Sequence, residues 1–214
     1  MSGLPDWPQL PGPGLTGRYR MTPEDFRVDE VPGWIADGSG EHLLVEVEKR
    51  GENTARVAEA LARMTGTDPA TAGWCGARDR HAVTRQWFSL RDPAGDAWLE
   101  PGSGESGWRV LDAVRHGRKL RRGDHAANRF RLRLLLDEPP AADAPDRIRQ
   151  RLAAGVANYF GPQRFGRDGG NLELARRWVR DGRLPRRGAR RGWILSAARS
   201  LLFNEVLAAR VAAG

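Results

Sequence analysis

Residues 76–90 read GARDRHAVTRQWFSL, and the rest of the chain is organised around this stretch. A Gly opens it, Asp79 stands between Arg78 and Arg80, and residues 83–90 alternate in the manner of a β-strand. A carboxylate between two cations stays ionised and is placed by its neighbours. That suits a nucleophile or base facing a polyanion. An exposed ion pair explains the same three residues, and on charge alone it is the commoner case. His81 lies two residues further on and reads as a solvated or structural His as readily as a general base.

Upstream, residues 42–49 alternate like a strand, and Asn53 predicts an N-cap for a helix through Met64 that buries Val57, Ala60, Leu61 and Met64. Residues 1–17 are rich in Pro and Gly and read as a flexible leader. The GPGLTG at 12–17 has the letter pattern of a dinucleotide loop but no strand before it, so that site is rejected. Downstream, residues 91–107 form a Gly/Pro/Asp-rich connection, 115–122 a cationic run and 124–128 a turn. Residues 129–136, RFRLRLLL, alternate basic with apolar side chains, which predicts one core face and one row of guanidinium groups. Residues 139–145 read as a linker, and 146–159 as a helix with Ile148, Leu152, Val156 and Tyr159 on one side. A Gly-rich loop follows, FGPQRFGRDGGN at 160–171. Asn171 is expected to cap a helix through Asp181, and Ser196 to cap a last helix. No internal repeat is visible.

The 214 residues carry a formal charge of +8 and a pI near 10.9, which favours an acidic partner, nucleic acid ahead of a membrane surface. The positive charge is mostly Arg, which suits RNA through bidentate phosphate contacts and base stacking; a GC-rich genome gives the same bias. Arg118, Lys119, Arg121 and Arg122 form a candidate phosphate track, or simply a solvated face. Asn128 and Phe130, at a strand start, suit hydrogen bonding and stacking on an extruded base, although Phe130 fits a core position equally. The single Cys, Cys75, excludes a disulfide framework and reads as a packed thiol in a reducing, cytoplasmic setting. His42, His81, His116 and His125 show no metal-ligand spacing, so no metal is expected. The 160–171 loop lacks the Lys-Ser/Thr of a P-loop, which argues against a nucleoside triphosphate. No signal peptide or membrane span is read, and a cytoplasmic monomer is expected.

Three blocks in order resemble the TruD family of tRNA pseudouridine synthases. GARDRHAVTRQWFSL is similar to the family's Gly-x-Lys-Asp-Arg and Val-Thr-x-Gln signature. ANYFGPQRFGRDGGNLELAR at 157–176 and SAARSLLFNEVLAARV at 196–211 resemble its later blocks. PEDFRVDE at 23–30, GEHLLVEVEKRGENT at 40–54 and RKLRRGDHAANRF at 118–130 support the likeness.

The resemblance implies an α+β fold: a mixed, mostly antiparallel pseudouridine synthase sheet with helices, followed by the start of an α/β insertion domain. It implies a catalytic domain over 18–153 and an incomplete insert over 154–214. It further implies isomerisation of a uridine, at position 13 of tRNA in bacterial members, with neither cofactor nor metal. Asp79 matches the catalytic Asp; Phe26, Asn128 and Phe130 match substrate-contacting positions; Arg78 and Arg80 flank the site as RNA-backbone candidates. Two departures stand out. Arg78 occupies a position where the family usually has Lys, and family members are longer. The chain is expected to stop inside the insert, so the alternative is a catalytically incomplete RNA-binding fragment.

Overall fold

The computed structural model describes residues 5–8, 15–92, 94–153, 155–184 and 188–213. The alternation of the signature stretch becomes a strand at Val83–Arg91, the fifth in a run of short and long strands. These are β1 (Gly17–Tyr19), β2 (Phe26–Pro32), β3 (His42–Arg50), β4 (Gly73–Trp74), β5 (Val83–Arg91), β6 (Gly104–Glu105), β7 (Trp108–His116), β8 (His125–Leu132) and β9 (Leu134–Leu136). The main sheet runs β6-β7-β3-β5-β2-β8, with β4 also on β5, and β1 pairs with β9 separately. Every pair is antiparallel except β2–β5, where Arg27, Val28 and Asp29 lie beside Val83, Thr84 and Arg85. The mixed, mostly antiparallel α+β architecture is therefore present.

Strands β3 and β5 are covered on both faces, so residues of both phases are buried: Leu43, Leu44, Val45 and Val47 in β3, and Gln86, Trp87, Phe88, Ser89 and Leu90 in β5. On one face Leu43, Val45, Val47, Phe88, Leu90 and Val110 pack against Val57 and Leu61 of helix α1 (Thr54–Thr65). On the other, Leu44, Cys75, Trp87 and Leu120 pack together with Trp34 and Val114. Asn53 caps α1 by accepting from the Ala55 N–H at 2.9 Å, and Gly66 closes it at φ +66°, the left-handed conformation that glycine adopts without strain. The buried stripe is Thr54, Val57, Ala58, Leu61 and Ala62, with Ala60 beside it; Met64, expected in the core, shares this side but sits in the last turn and is exposed.

The 129–136 alternation also resolves differently from expectation. β8 ends at Leu132, and Phe130, Leu132 and Leu134 are exposed rather than core. The chain divides into two compact units, Thr16–Pro139 and a second comprising Met1–Leu15 with Pro140–Gly214. The second break, between Pro139 and Pro140, falls inside the 139–145 linker stretch.

In the second unit, α2 spans Ala144–Ala153, α3 Gly170–Asp181 and α4 Ala189–Ala213. Phe165, Leu172 and Ala197 form its core, joined by Trp7, Phe160 and Leu201. Trp7, in the stretch read as a flexible leader, stacks on Tyr159 with ring centroids 5.8 Å apart; residues 1–4 and 9–14 of that stretch lie outside the described residues. The helix expected to reach Tyr159 stops at Ala153, shortly before Gly155 at φ +103°. Asn171 lies within the first turn of α3, whose cap is Gly169. Ser196 lies inside the continuous α4, where its hydroxyl accepts from Arg164 Nη1 at 3.1 Å. Both capping expectations fail for one reason: Asn and Ser are tolerated within helices whose other face is packed. Among the described residues, no helix is long and apolar enough to cross a membrane.

Candidate active site

The loop joining β4 to β5 carries residues 75–82, and buried polar side chains from three elements fix its backbone. From α1, the Thr54 hydroxyl accepts the Arg78 N–H at 3.1 Å and donates to Gln86 Oε1 at 3.1 Å. From β5, Gln86 Nε2 donates to the Gly76 carbonyl at 3.2 Å. From β3, Lys49 Nζ donates to the carbonyls of Asp79 at 2.9 Å and Glu52 at 3.0 Å, and to that of Arg78 at 3.5 Å. Satisfied buried networks of this kind hold a loop in one conformation.

The carboxylate of Asp79 is exposed, and neither sequence neighbour pairs with it. Its partner is Arg20, whose Nη2 lies 3.2 Å from Asp79 Oδ1. Arg20 adopts φ +56°, which costs a non-glycine residue energy and is kept where the surroundings over-determine it. The same guanidinium lies over the Phe26 ring, 4.7 Å from its centroid. Phe26 in turn stacks on Phe130 at 6.1 Å with the planes 6° apart. Register explains that contact: β2 and β8 pair Val28 with Phe130 and Phe26 with Leu132, so Phe26 and Phe130 are diagonal neighbours on one face. Phe130 is 63% exposed, free to present its ring. A cation and two parallel rings thus extend from the Asp79 carboxylate along the sheet.

Arg78 turns the other way. Its guanidinium, with the side chain 8% exposed, pairs with the fully buried Glu30 carboxylate. Arg78, read as an RNA-backbone candidate, is thus engaged in an internal ion pair. Glu30 Oε1 also accepts the Trp87 N–H at 3.4 Å, just past the last paired residue of β2 and β5, so the carboxylate serves a strand amide that β2 leaves unpaired. Burial raises the Glu30 pKa and Arg78 opposes the rise. Cys75 lies beside this pair, its thiol pushed up to about 12 chiefly by burial, which makes it a packed thiol and no nucleophile.

Arg80 Nε donates to the Gly51 carbonyl at 3.0 Å. Asn53, Thr54, Ala77, Arg78, Asp79 and Arg80 line a depression of about 370 Å³. Asn128 lies opposite Glu30 in register, with Nδ2 3.1 Å from His125 Nε2 and its buried Oδ1 without a hydrogen-bond partner among the described residues. In the cationic run, Arg118 pairs with Asp124 at 2.7 Å, and Asp124 also accepts the Arg121 N–H at 2.8 Å. Arg121 and Arg122 are exposed, and Lys119 is half-buried. Among the described residues, no three His, Cys, Asp or Glu side chains converge to hold a metal ion.

Asp79, Phe26, Phe130 and Asn128 therefore gather on one face, whereas Arg20, Lys49 and Glu30 escaped the sequence reading. Two of these left a signal. Leu43, Val45, Val47 and Lys49 share one phase of β3, as Val28 and Glu30 do in β2, and a charge on a buried phase marks a site. Arg20 left none.

Residues 10–182 match the sequence family described as "tRNA pseudouridine synthase D (TruD)". The chain belongs to the TruD family. It is 45% identical over 221 residues to the "tRNA pseudouridine synthase D" of Methylococcus capsulatus, covering 99% of this chain and 60% of that protein. With the same-named protein of Azotobacter vinelandii it shares 52% over 194 residues, covering 89% and 54% respectively. The chain thus spans about three fifths of the length of these TruD relatives. A solved structure, described as the putative tRNA pseudouridine synthase D (TruD) of Methanosarcina mazei, superposes with a TM-score of 0.60 at 23% identity, over 91% of this chain and 47% of that one. That likeness shows the TruD fold in this chain.

Proposed function

We propose that this chain carries the uridine-isomerising site of a tRNA pseudouridine synthase, with Asp79 as the reacting carboxylate. The observation that supports this best is the alignment of the Asp79 carboxylate, the Arg20 guanidinium and the Phe26–Phe130 stack on one exposed face. In the reaction the bond from C1′ to N1 breaks, a bond from C1′ to C5 forms, and the C5 proton leaves as N1 gains one. No electrons are exchanged, so no redox cofactor is called for. Asp79 acts as an anion on a flipped nucleotide, at the base or the sugar. Phe130 stacks on the base, in a class of contact worth about 1–3 kcal/mol, with Asn128 two residues before it on the same strand as the polar neighbour. A tRNA substrate places the protein in the cytoplasm, and the uridine at position 13 is the proposed target. We further propose that residues 18–153 form part of the catalytic domain and 154–214 the start of the insertion domain.

The test is tritium release from C5 of [5-³H]uridine-labelled tRNA transcript, which reports C5 substitution directly. Release confined to one uridine supports the proposal; none under any condition, with the protein folded, overturns it for this chain. The exposed Phe130, Leu132 and Leu134 favour a second reading, in which the chain binds RNA without completing a cleft. RNA retention without release identifies that outcome.

Replacing Arg118, Lys119, Arg121 and Arg122 together by Ala is expected to weaken binding to every RNA and flatten the dependence of log K on log salt, by about 0.7–0.9 for each phosphate that the protein no longer neutralises. A slope unchanged in filter-binding titrations would make the run a solvated face only.

A further inference from the structure

Lys49 is fully buried, and among the described residues its ammonium meets no carboxylate at hydrogen-bonding distance. Its acceptors are main-chain carbonyls from two segments: Glu52 ahead of α1, and Arg78 and Asp79 in the loop. An ammonium offers three N–H groups and no acceptor, so three carbonyls converging on one nitrogen match its protonated form. A neutral amine would turn a lone pair towards one of them. Burying a cation is costly unless its hydrogen bonds are satisfied, and an apolar residue continuing the Leu43, Val45, Val47 phase would incur no such cost. The placement of this charge calls for a reason other than packing.

We propose that Lys49 is a positioning residue for Asp79: its ammonium fixes the Asp79 carbonyl, and through the main chain holds the carboxylate in place beside Arg20. This rests on the reading of Asp79 as the reacting group. The charged groups facing Lys49 are Asp79 and Arg78 from the loop and Glu52 from the β3–α1 connection. Burial lowers the Lys49 pKa to about 8, against the attraction of Asp79 and Glu52, so the ammonium form is lost as pH rises through that value. The clamp is therefore strongest below pH 8.

Two measurements test the proposal, and the first needs no RNA. Hydrogen-exchange protection factors of the amides at 77–82 are expected to fall as the unaltered protein is taken from pH 7 to pH 9, while those of β3 and β5 stay constant. Constant loop protection across that range overturns the clamp, whether or not the protein isomerises uridine. The second compares single-turnover tritium release at saturating tRNA in the unaltered protein and in Lys49→Met. The variant is expected to react on the order of 100-fold more slowly, the scale of a small misplacement of a reacting group. Its tRNA affinity should stay within about twofold, and it should lack the decline in rate that the unaltered protein shows above pH 8. A variant with normal rate and normal pH profile refutes the proposal. Should Lys49→Met fail to fold, the exchange measurement on the unaltered protein still decides. Absence of release from the unaltered protein counts against the proposed function and leaves the exchange result standing.

Discussion

Asp79→Asn is expected to lower tritium release from C5-labelled tRNA on the order of 10⁴-fold or more while leaving tRNA affinity within severalfold. Asn keeps the shape of the side chain and removes its charge, so the reacting anion is lost with little steric change; losses of this size follow removal of a reacting side chain. The fold should tolerate the change. The ion pair that disappears, Arg20 with Asp79, is partly exposed at 29% and 40%, and exposed pairs contribute about 0.2–1 kcal/mol. Binding should not weaken either, because deleting a negative charge beside a polyanion removes repulsion and frees Arg20. Release above a few per cent of the unaltered rate would remove Asp79 from the chemistry.

Arg78→Ala, one residue away, is expected to act on stability instead. It leaves the Glu30 carboxylate buried without its cation, and breaking a buried pair from one side costs about 3–5 kcal/mol. The cost should depend on pH in a defined direction. Burial holds the Glu30 pKa above its unfolded value, so folding takes up a proton there. The stability tied to this group is complete below the unfolded value of 4.5 and declines as pH rises through the folded value. Without Arg78 the folded pKa moves higher, so the deficit relative to the unaltered protein is largest at neutral pH and shrinks towards pH 4.5. Urea unfolding at pH 5 and pH 7 measures both quantities. The pair Arg78→Met with Glu30→Gln should recover most of the loss, since Gln still offers an acceptor to the Trp87 N–H. A pH-independent deficit, or one below 1 kcal/mol, would mean that the pair is not buried in solution.

Periodicity made the strands at 42–50 and 83–91 legible, and cap chemistry did the same for the helix beginning after Asn53. Two central strands and the principal helix followed from those signals, whereas β2 and β7 were not read as strands and the turn expected at 124–128 is mostly the start of β8. Residues at Met64, Asn171 and Ser196 misled because which side of an element is covered depends on tertiary packing that local sequence does not encode. In the site, motif resemblance pointed to Asp79, Phe26, Asn128 and Phe130 as candidates, and adjacency in sequence suggested Arg78 and Arg80 as partners of the carboxylate. Adjacent residues in an extended loop project in different directions, so Arg78 goes to Glu30, Arg80 to the Gly51 carbonyl, and the cation at Asp79 arrives from Arg20, far away in sequence. Charge order along a chain is a poor guide to charge order in space.

Strand β2 bears Phe26 and Glu30, yet it meets β5 over only three residue pairs and β8 over seven. Most of its ladder therefore waits for a strand roughly a hundred residues later, and closing so long a loop is slow compared with forming local helix and hairpin contacts. During synthesis the loop that carries Asp79 leaves the ribosome well before the strand that completes the ring stack and flanks Glu30. A nascent chain halted after β7 should show protected amides in β3, β5 and β7 and labile ones in β2, with Arg78 and Glu30 open to water. The Phe26–Phe130 stack is thus assembled by a late long-range pairing of its unit, after the loop that carries the Asp79 carboxylate has been made.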